Sequence, residues 1–363
     1  DLVPLAHMVL VMLGEGEAYY KGEWVSGGEA LKEANLKPVV LQAKEGLALI
    51  NGTQCMTALG ALGVYDALRL AKTADICTAL TMEGLRGIPD AYDERIHKLR
   101  PHPGQLNAAK NIRTILADSE LVYREDRDKV QDAYTLRCTP QVHGASKDSI
   151  NYVKGIVERE INSVTDNPLI FPKDGVVFSG GNFHGQPVAL GMDFLGIAIS
   201  ELGNISERRI ERLVNSDLSG LPPFLTPESG LNSGYMIAQY TAASLVSENK
   251  VLAHPSSVDS IPTSANQEDH VSMGTIGARK MRKILTNVEN VMAVELLTAA
   301  QSIEFRDEGE LGAGTKAVYD LIRSEVPALS EDRFLAPEMH KMQEMIHSGQ
   351  IIEAVEKVVG PLA

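Results

Sequence analysis

Apolar residues recur along this chain at helical intervals over unusually long stretches. Residues 53–86 are rich in Ala and Leu, contain no Pro, and lie between Asn51-Gly52 and Gly87, which predicts one long buried helix. Pro187 suits the first turn of a second helix, in which Leu195, Ile199, Leu202 and Ile205 follow one another by four, three and three before the charged run Glu207-Arg208-Arg209. A third candidate covers residues 237–252 and is stopped by Pro255. A fourth covers 273–305, with Met281, Ile284, Val288 and Val291 at three- and four-residue intervals. The stretch 327–359 predicts shorter helices, with Ile352, Val355 and Val359 on one face of the last. Long helices are stable in water by packing on one another, so the pattern predicts an all-α bundle of long helices. No repeat, low-complexity linker or charge block marks a boundary. Residues 1–363 therefore read as one continuous helical domain, with a long-helix core over about 1–305 and shorter helices over 306–363.

Composition supports helices and narrows the partners. Aromatic residues make up only 5% of the chain, too few for a β-sandwich. The 48 acidic residues outweigh 34 basic ones for a net charge of −14, which argues against nucleic acid or an anionic membrane as partner. The apolar run at 8–13 is too short to span a bilayer and has no basic residue before it, so it reads as neither a membrane helix nor a signal peptide. Cys55, Cys77 and Cys138 are odd in number and show no CxxC spacing, as expected of a reduced, cytoplasmic protein. The nine histidines include no HExxH and no close pair at ligand spacing, so no metal is expected; His97, His340 and His347 sit among charges and read as solvated surface. Gly312-Ala313-Gly314-Thr315-Lys316 fails the phosphate-loop spacing. The chain opens on Asp1 without a methionine, either as a boundary or because something functional precedes it.

Five polar connectors carry more chemistry than connectors need: Asn51-Gly52 and residues 131–142, 162–171, 180–187 and 254–270. Tyr134 and Arg137, three apart, would share a helical face and pair a phenol with a guanidinium able to grip a carboxylate; the same spacing also suits a plain surface pair. Glycines on both sides of Phe183 and His184 allow close approach of a ligand, or make a turn anchored by Phe183. The polar run 264–270 reads as a site segment, as an N-terminal cap for the helix after it, or as both.

Five ordered motifs together resemble one family over nearly the whole chain, the ammonia-lyases that use a 4-methylidene-imidazol-5-one (MIO) electrophile, and within it the histidine-acting branch. The residues are Glu45-Gly46-Leu47-Ala48-Leu49-Ile50-Asn51-Gly52, Gln131-Asp132-x-Tyr134-x-Leu136-Arg137-Cys138, Asn162-Ser163-x-Thr165-Asp166-Asn167-Pro168-Leu169, Gly181-Asn182-Phe183-His184-Gly185 and Asn266-Gln267-Glu268-Asp269-His270. The opening Asp1-Leu2-Val3-Pro4-Leu5-Ala6-His7 is similar to the family's segment directly after the Ala-Ser-Gly that cyclises to MIO. The resemblance implies that the tripeptide lies just upstream of Asp1, with an N-terminal portion of the same protein before it. It implies fumarase/aspartase-like helical architecture and a homotetramer whose sites draw on three subunits. It also implies elimination of ammonia from L-histidine to give trans-urocanate.

By motif, the resemblance assigns Arg137 to the substrate carboxylate, with Asn51 and Gln131 near it or the electrophile, and Tyr134 to proton transfer or orientation. Phe183 walls the site with His184 beside it, Glu268 and Gln267 face the substrate side chain, and Asp1 flanks the MIO; Asp166-Asn167-Pro168 reads as a structural turn. Glu268 and His184 favour histidine over phenylalanine or tyrosine, although a phenylalanine/tyrosine ammonia-lyase or aminomutase stays an alternative. So does a non-catalytic subunit or scaffold. The fumarase and aspartase signature itself is not matched, because residues 256–266 have the wrong spacing and no Lys.

Overall fold

The computed structural model describes residues 1–124, 129–306 and 309–363. In chain order the elements are α1 (Leu2–Met12), β1 (Glu17–Tyr20), β2 (Glu23–Ser26), α2 (Gly27–Glu33), α3 (Glu45–Ile50), α4 (Gln54–Leu85), α5 (Glu94–Lys98), α6 (Pro103–Ile115), α7 (Tyr134–Arg137) and α8 (Thr139–Glu160). There follow β3 (Leu169–Phe171), β4 (Val176–Phe178), α9 (Gln186–Val214), α10 (Ser216–Ser219), α11 (Met236–Leu252), α12 (Gly274–Ile303), α13 (Ala313–Glu325), α14 (Ala336–Ser348) and α15 (Gln350–Val359). The protein is all-α in class, its only named strands being two antiparallel hairpins, β1-β2 and β3-β4, among the described residues.

The four long helices expected from periodicity are α4, α9, α11 and α12; α4, α11 and α12 end within two residues of the expected bounds, and α9 runs on through the charged run 207–209 to Val214. The intervals also pick out the inward faces: Leu195, Ile199, Leu202, Met281, Ile284, Val288 and Val291 are fully buried and Ile205 nearly so. A fifth long helix, α8, is not in the expected set. The connector expected over 131–142 ends at residue 138, and residues 139–142 are the first turn of α8. Pro140 needs no amide partner there, and Ile150, Val153 and Val157 form the buried face beyond it. His97 also differs from expectation. It is buried, with Nε2 donating to the Ala91 carbonyl (3.1 Å) and Nδ1 accepting from Gln105 (3.0 Å), because α5 lies against α6.

The chain folds into two compact units, to which α4, α8, α9 and α12 all contribute residues. The first comprises Asp1–Leu62, Lys154–Asp193 and Pro255–Arg279; the second comprises Gly63–Val153, Phe194–His254 and Lys280–Ala363.

The second unit holds two buried polar centres in an apolar core. Arg209 and Glu295 are both fully buried and share two hydrogen bonds (2.5 and 2.9 Å), while Thr81 and Ser206 donate to the same carboxylate at 2.8 and 2.5 Å. Both carboxylate oxygens are thus doubly engaged, as a buried ion pair requires. Asp75 accepts from Asn111 (2.9 Å), sits 2.8 Å from both His143 Nδ1 and Lys147 Nζ, and is itself inaccessible. Burial pushes the Asp75 carboxyl up, but Lys147 and His143 outweigh it and hold the group below its ordinary value. The first unit is more open. Its hairpin β3-β4 exposes Ile170, Phe171, Val177 and Phe178.

Candidate active site

In the first unit, backbone and side-chain hydrogen bonds tie four of the five motifs into one cluster. Asn51 ends α3, its N–H bonded to the Leu47 carbonyl at 2.8 Å. Its side-chain amide donates to Asp166 (3.4 Å), which also pairs with Lys44 and accepts from the Asn167 N–H (2.7 Å). Gly52 follows at φ +143°, where an added Cβ would stand 2.7 Å from the Thr165 carbonyl. Only glycine therefore lets the Asn51 turn close on the Asp166 segment. Burial raises the Asp166 carboxyl, yet Lys44, the Asn167 N–H and the Asn51 amide together leave it below its usual value.

The Asp166 segment in turn holds the Phe183 loop. Asn167 accepts from the Gly180 N–H at 2.7 Å, and Asn182 donates to the Val164 carbonyl at 3.3 Å. His184 closes the ring: its Nδ1 accepts from the Gln186 N–H (3.3 Å) and its Nε2 donates to the His270 carbonyl (3.1 Å). The two imidazoles stack with centroids 5.5 Å apart at 12°. Both nitrogens of His184 are thus committed to main chain. Phe183 is about 38% exposed beside it, an open apolar wall.

Glu268 is fixed from the other side of the 264–270 run. It pairs with Thr263 through both backbone amides (3.0 and 3.4 Å), and Thr263 Oγ1 donates to Oε2 at 2.6 Å. The turn between them places Ser264, Ala265 and Asn266 at φ of 52°, 52° and 67°. Three successive non-glycine residues in the left-handed region are strained, and the turn persists because the Thr263–Glu268 bridge fixes both ends. Oε1 of Glu268 and the side chain of Gln267 have no partner among the described residues. The cap of α12 is supplied later, where Ser272 Oγ accepts from the Gly274 N–H, so the 264–270 run is not the cap. Asp1 is bound on both carboxylate oxygens, by the Met56 N–H (2.8 Å) and by Thr275 Oγ1.

The second unit carries Gln131, Tyr134 and Arg137. Tyr134 and Arg137 fall on the single turn α7, and the guanidinium carbon sits 4.7 Å from the centre of the phenol ring, the shared face expected from their spacing. Tyr134 is about 70% exposed, whereas Arg137 Nε is buried with no hydrogen-bond partner. Leu136 anchors the turn: it is buried, and Tyr92 Oη donates to its carbonyl at 2.5 Å. Gln131 is exposed, and its neighbour Asp132 accepts from the Ile88 N–H at 2.6 Å.

Three contributors were not legible as such in sequence. Asp166, expected as a turn residue, orients Asn51, and Lys44 holds Asp166; His270 stacks on His184. The signal for Lys44 was its position one residue before the Glu45 motif. Nothing in the pattern shows that it reaches Asp166, 122 residues away.

Taken one by one, the two units carry groups that suit a carbon–nitrogen lyase acting on amino acids: the first an oriented amide and a partly free carboxylate, the second a guanidinium beside a phenol. The chain belongs to the aromatic amino acid lyase family, whose model matches residues 1–324. It is 62% identical over 362 residues to a histidine ammonia-lyase of Alkaliphilus metalliredigens, covering 100% of this chain and 71% of that protein. Among solved structures it is similar to histidine ammonia-lyase from Trypanosoma cruzi (47% identity, TM-score 0.93, 99% of this chain and 69% of that one). It is also similar to tyrosine aminomutase from Streptomyces globisporus (38%, TM-score 0.95, 100% and 73%).

Proposed function

We propose that this chain eliminates ammonia from L-histidine to give trans-urocanate. The observation that carries the reading is Glu268, whose Oε2 is held by Thr263 while Oε1 stays open among the described residues. A carboxylate offered to an imidazole N–H gains a charge-assisted hydrogen bond. Offered to a phenyl ring it is desolvated without a partner, at about 1–3 kcal/mol. The identities with the Alkaliphilus and Trypanosoma enzymes support the same substrate.

The family uses an MIO electrophile, which supplies the electron-poor carbon that makes a poor nitrogen leaving group depart. We place its Ala-Ser-Gly precursor on the nitrogen of Asp1. The residues present fit that group: both oxygens of Asp1 are anchored, so the nitrogen is held in a fixed position, and Asn51, close in sequence to Met56, has its amide aimed by Asp166. Arg137 binds the substrate carboxylate, a role supported by its buried, unpartnered Nε. Tyr134, under that guanidinium, orients the substrate or moves a proton, and Gln131 and Gln267 contribute hydrogen bonds. Phe183, with His184 beside it, excludes water from one side of the substrate.

We further read residues 1–363 as one lyase domain of a homotetramer, in which identical subunits and the N-terminal portion complete each site. The exposed apolar residues Ile237, Tyr240 and Val251 on α11 support a covered face. Three free cysteines support a cytoplasmic setting.

The test is to incubate the intact protein with histidine, phenylalanine and tyrosine and follow the products by ultraviolet absorption. Histidine should give urocanate, and Glu268→Gln should lower its turnover by about 100-fold or more. Cinnamate, coumarate or a β-amino acid as main product would overturn the substrate; near-normal histidine turnover by the variant would overturn the role of Glu268.

A further inference from the structure

Thr135 Oγ1, Arg137 Nε and Gln141 Oε1, all in the second unit, are buried side-chain atoms without a hydrogen-bond partner. The great majority of buried polar groups in folded proteins are met, so such a cluster at the proposed substrate-binding turn calls for an explanation. Helical geometry separates the three. α7 runs into α8 with its hydrogen bonds carried across the join, from the Cys138 N–H to the Tyr134 carbonyl (2.9 Å) and from the Val142 N–H to that of Cys138 (3.1 Å). Residues three and four apart therefore share a face, and residues two apart do not, which sets Thr135 aside from Arg137.

The helical neighbours of Arg137 are Ala133, Tyr134, Pro140 and Gln141. Ala133 and Pro140 have no polar side chain, and Tyr134 presents its ring, whose centre is 4.7 Å from the guanidinium carbon. A helical side chain leans back toward the N-terminus, over the residue four before it, so Gln141 leans over Arg137. The two groups match in what each lacks. Arg137 has no hydrogen bond or ion pair among the described residues; its Nε is buried, and its terminal nitrogens are not. Gln141 Oε1 is buried, and its amide nitrogen is not. A buried donor thus stands one helical turn from a buried acceptor, on Cβ atoms about 5–6 Å apart, within reach of both side chains.

We infer that Gln141 is a positioning residue for the substrate carboxylate: its Oε1 takes the Nε–H of Arg137 and leaves both terminal nitrogens to the ligand. This rests on Arg137 as the carboxylate binder. Without that acceptor, a guanidinium drawn toward a carboxylate either keeps a buried donor unmet or turns its Nε edge out to the ligand. With it, the fork meets the carboxylate end-on, and the amino acid is held at one angle. Gln141 acts through Arg137 and touches no reacting atom, so its loss weakens substrate and transition state alike.

Two ligands separate this role from a merely structural one. Imidazolepropionate keeps the ring and carboxylate of histidine without the amino group; histamine keeps the ring and amino group without the carboxylate. The intact protein is titrated calorimetrically with each. Gln141→Met removes the acceptor at nearly constant length. It should weaken imidazolepropionate and raise KM for histidine at least about tenfold, the share of one charge-assisted hydrogen bond, with kcat and histamine affinity within about twofold of native. Gln141→Ala is the second variant should Met fail to fold, with the same expectation. In an Arg137→Met background the change at Gln141 should weaken imidazolepropionate no further. Equal weakening of histamine, or unchanged imidazolepropionate affinity, would overturn the proposal. Imidazolepropionate binding indifferent to Arg137→Met would remove the carboxylate role of Arg137 itself, whereas binding that needs Arg137 but not Gln141 would remove Gln141 alone. Failure of imidazolepropionate to bind the native protein would overturn the histidine reading, and this role with it.

Discussion

Asp166→Asn separates an orienting role from a purely structural one. The native carboxylate serves three donors at once: the Lys44 ammonium, the Asn51 amide and the Asn167 N–H. An asparagine of the same size offers one oxygen in place of two, and turns an amide toward an ammonium. The pair is partly buried, with side chains 25% and 19% exposed. Its loss should therefore cost more than an exposed pair, at about 0–1 kcal/mol, and less than a fully buried one broken on one side, at about 3–5 kcal/mol. We expect about 1–3 kcal/mol in urea denaturation at neutral pH.

The effect should vanish in acid. The native carboxyl titrates below its ordinary value, so its contribution is full above the unfolded pKa of about 4 and fades as pH falls toward the depressed native value. With Asn51 no longer aimed, kcat/KM for histidine should fall roughly tenfold, one hydrogen bond's worth of positioning. A cycle with Asn51→Ala should show that the two losses do not add. Destabilisation with unchanged kcat/KM, or full additivity, would refute the orienting role.

Two other expectations rest on packing and buried charge. Gly52→Ala places a Cβ 2.7 Å from the Thr165 carbonyl at a φ of +143°, and should cost at least about 1–3 kcal/mol in thermal or urea unfolding; a neutral outcome would show that the turn relaxes. Asp75→Ala leaves Lys147 and His143 buried without their carboxylate and should cost about 3–5 kcal/mol, and a loss below about 1 kcal/mol would mean that the cluster contributes nothing net.

The helices were readable in sequence where burial is one-sided and long, as in α9, whose Leu195–Ile205 intervals write out a single stripe. They were not readable where polar residues cover the outer face and close backbone contact replaces apolar bulk. In α8, Gly144 lies so near α6 that an added Cβ would stand 2.4 Å from the Gln105 nitrogen, and its interior is partly His143 and Lys147 rather than leucine. His97 misled for the same reason: its charged neighbours in sequence point outward while its own ring turns in to meet Gln105. Within the site, motif residues were legible one by one. The bonds that assemble them were not, because Asn51 to Asp166 and His184 to His270 join segments 115 and 86 residues apart.

The main-chain bonds of His184 make its ring a splint. A carbonyl can only accept and an amide N–H can only donate, so Nε2 carries the hydrogen and Nδ1 offers its lone pair. Turning the ring over would put a carbon where each nitrogen stands and lose both bonds at once. The imidazole is therefore held in one orientation, stacked on His270, and it ties the Phe183 loop to a segment 86 residues further along the chain.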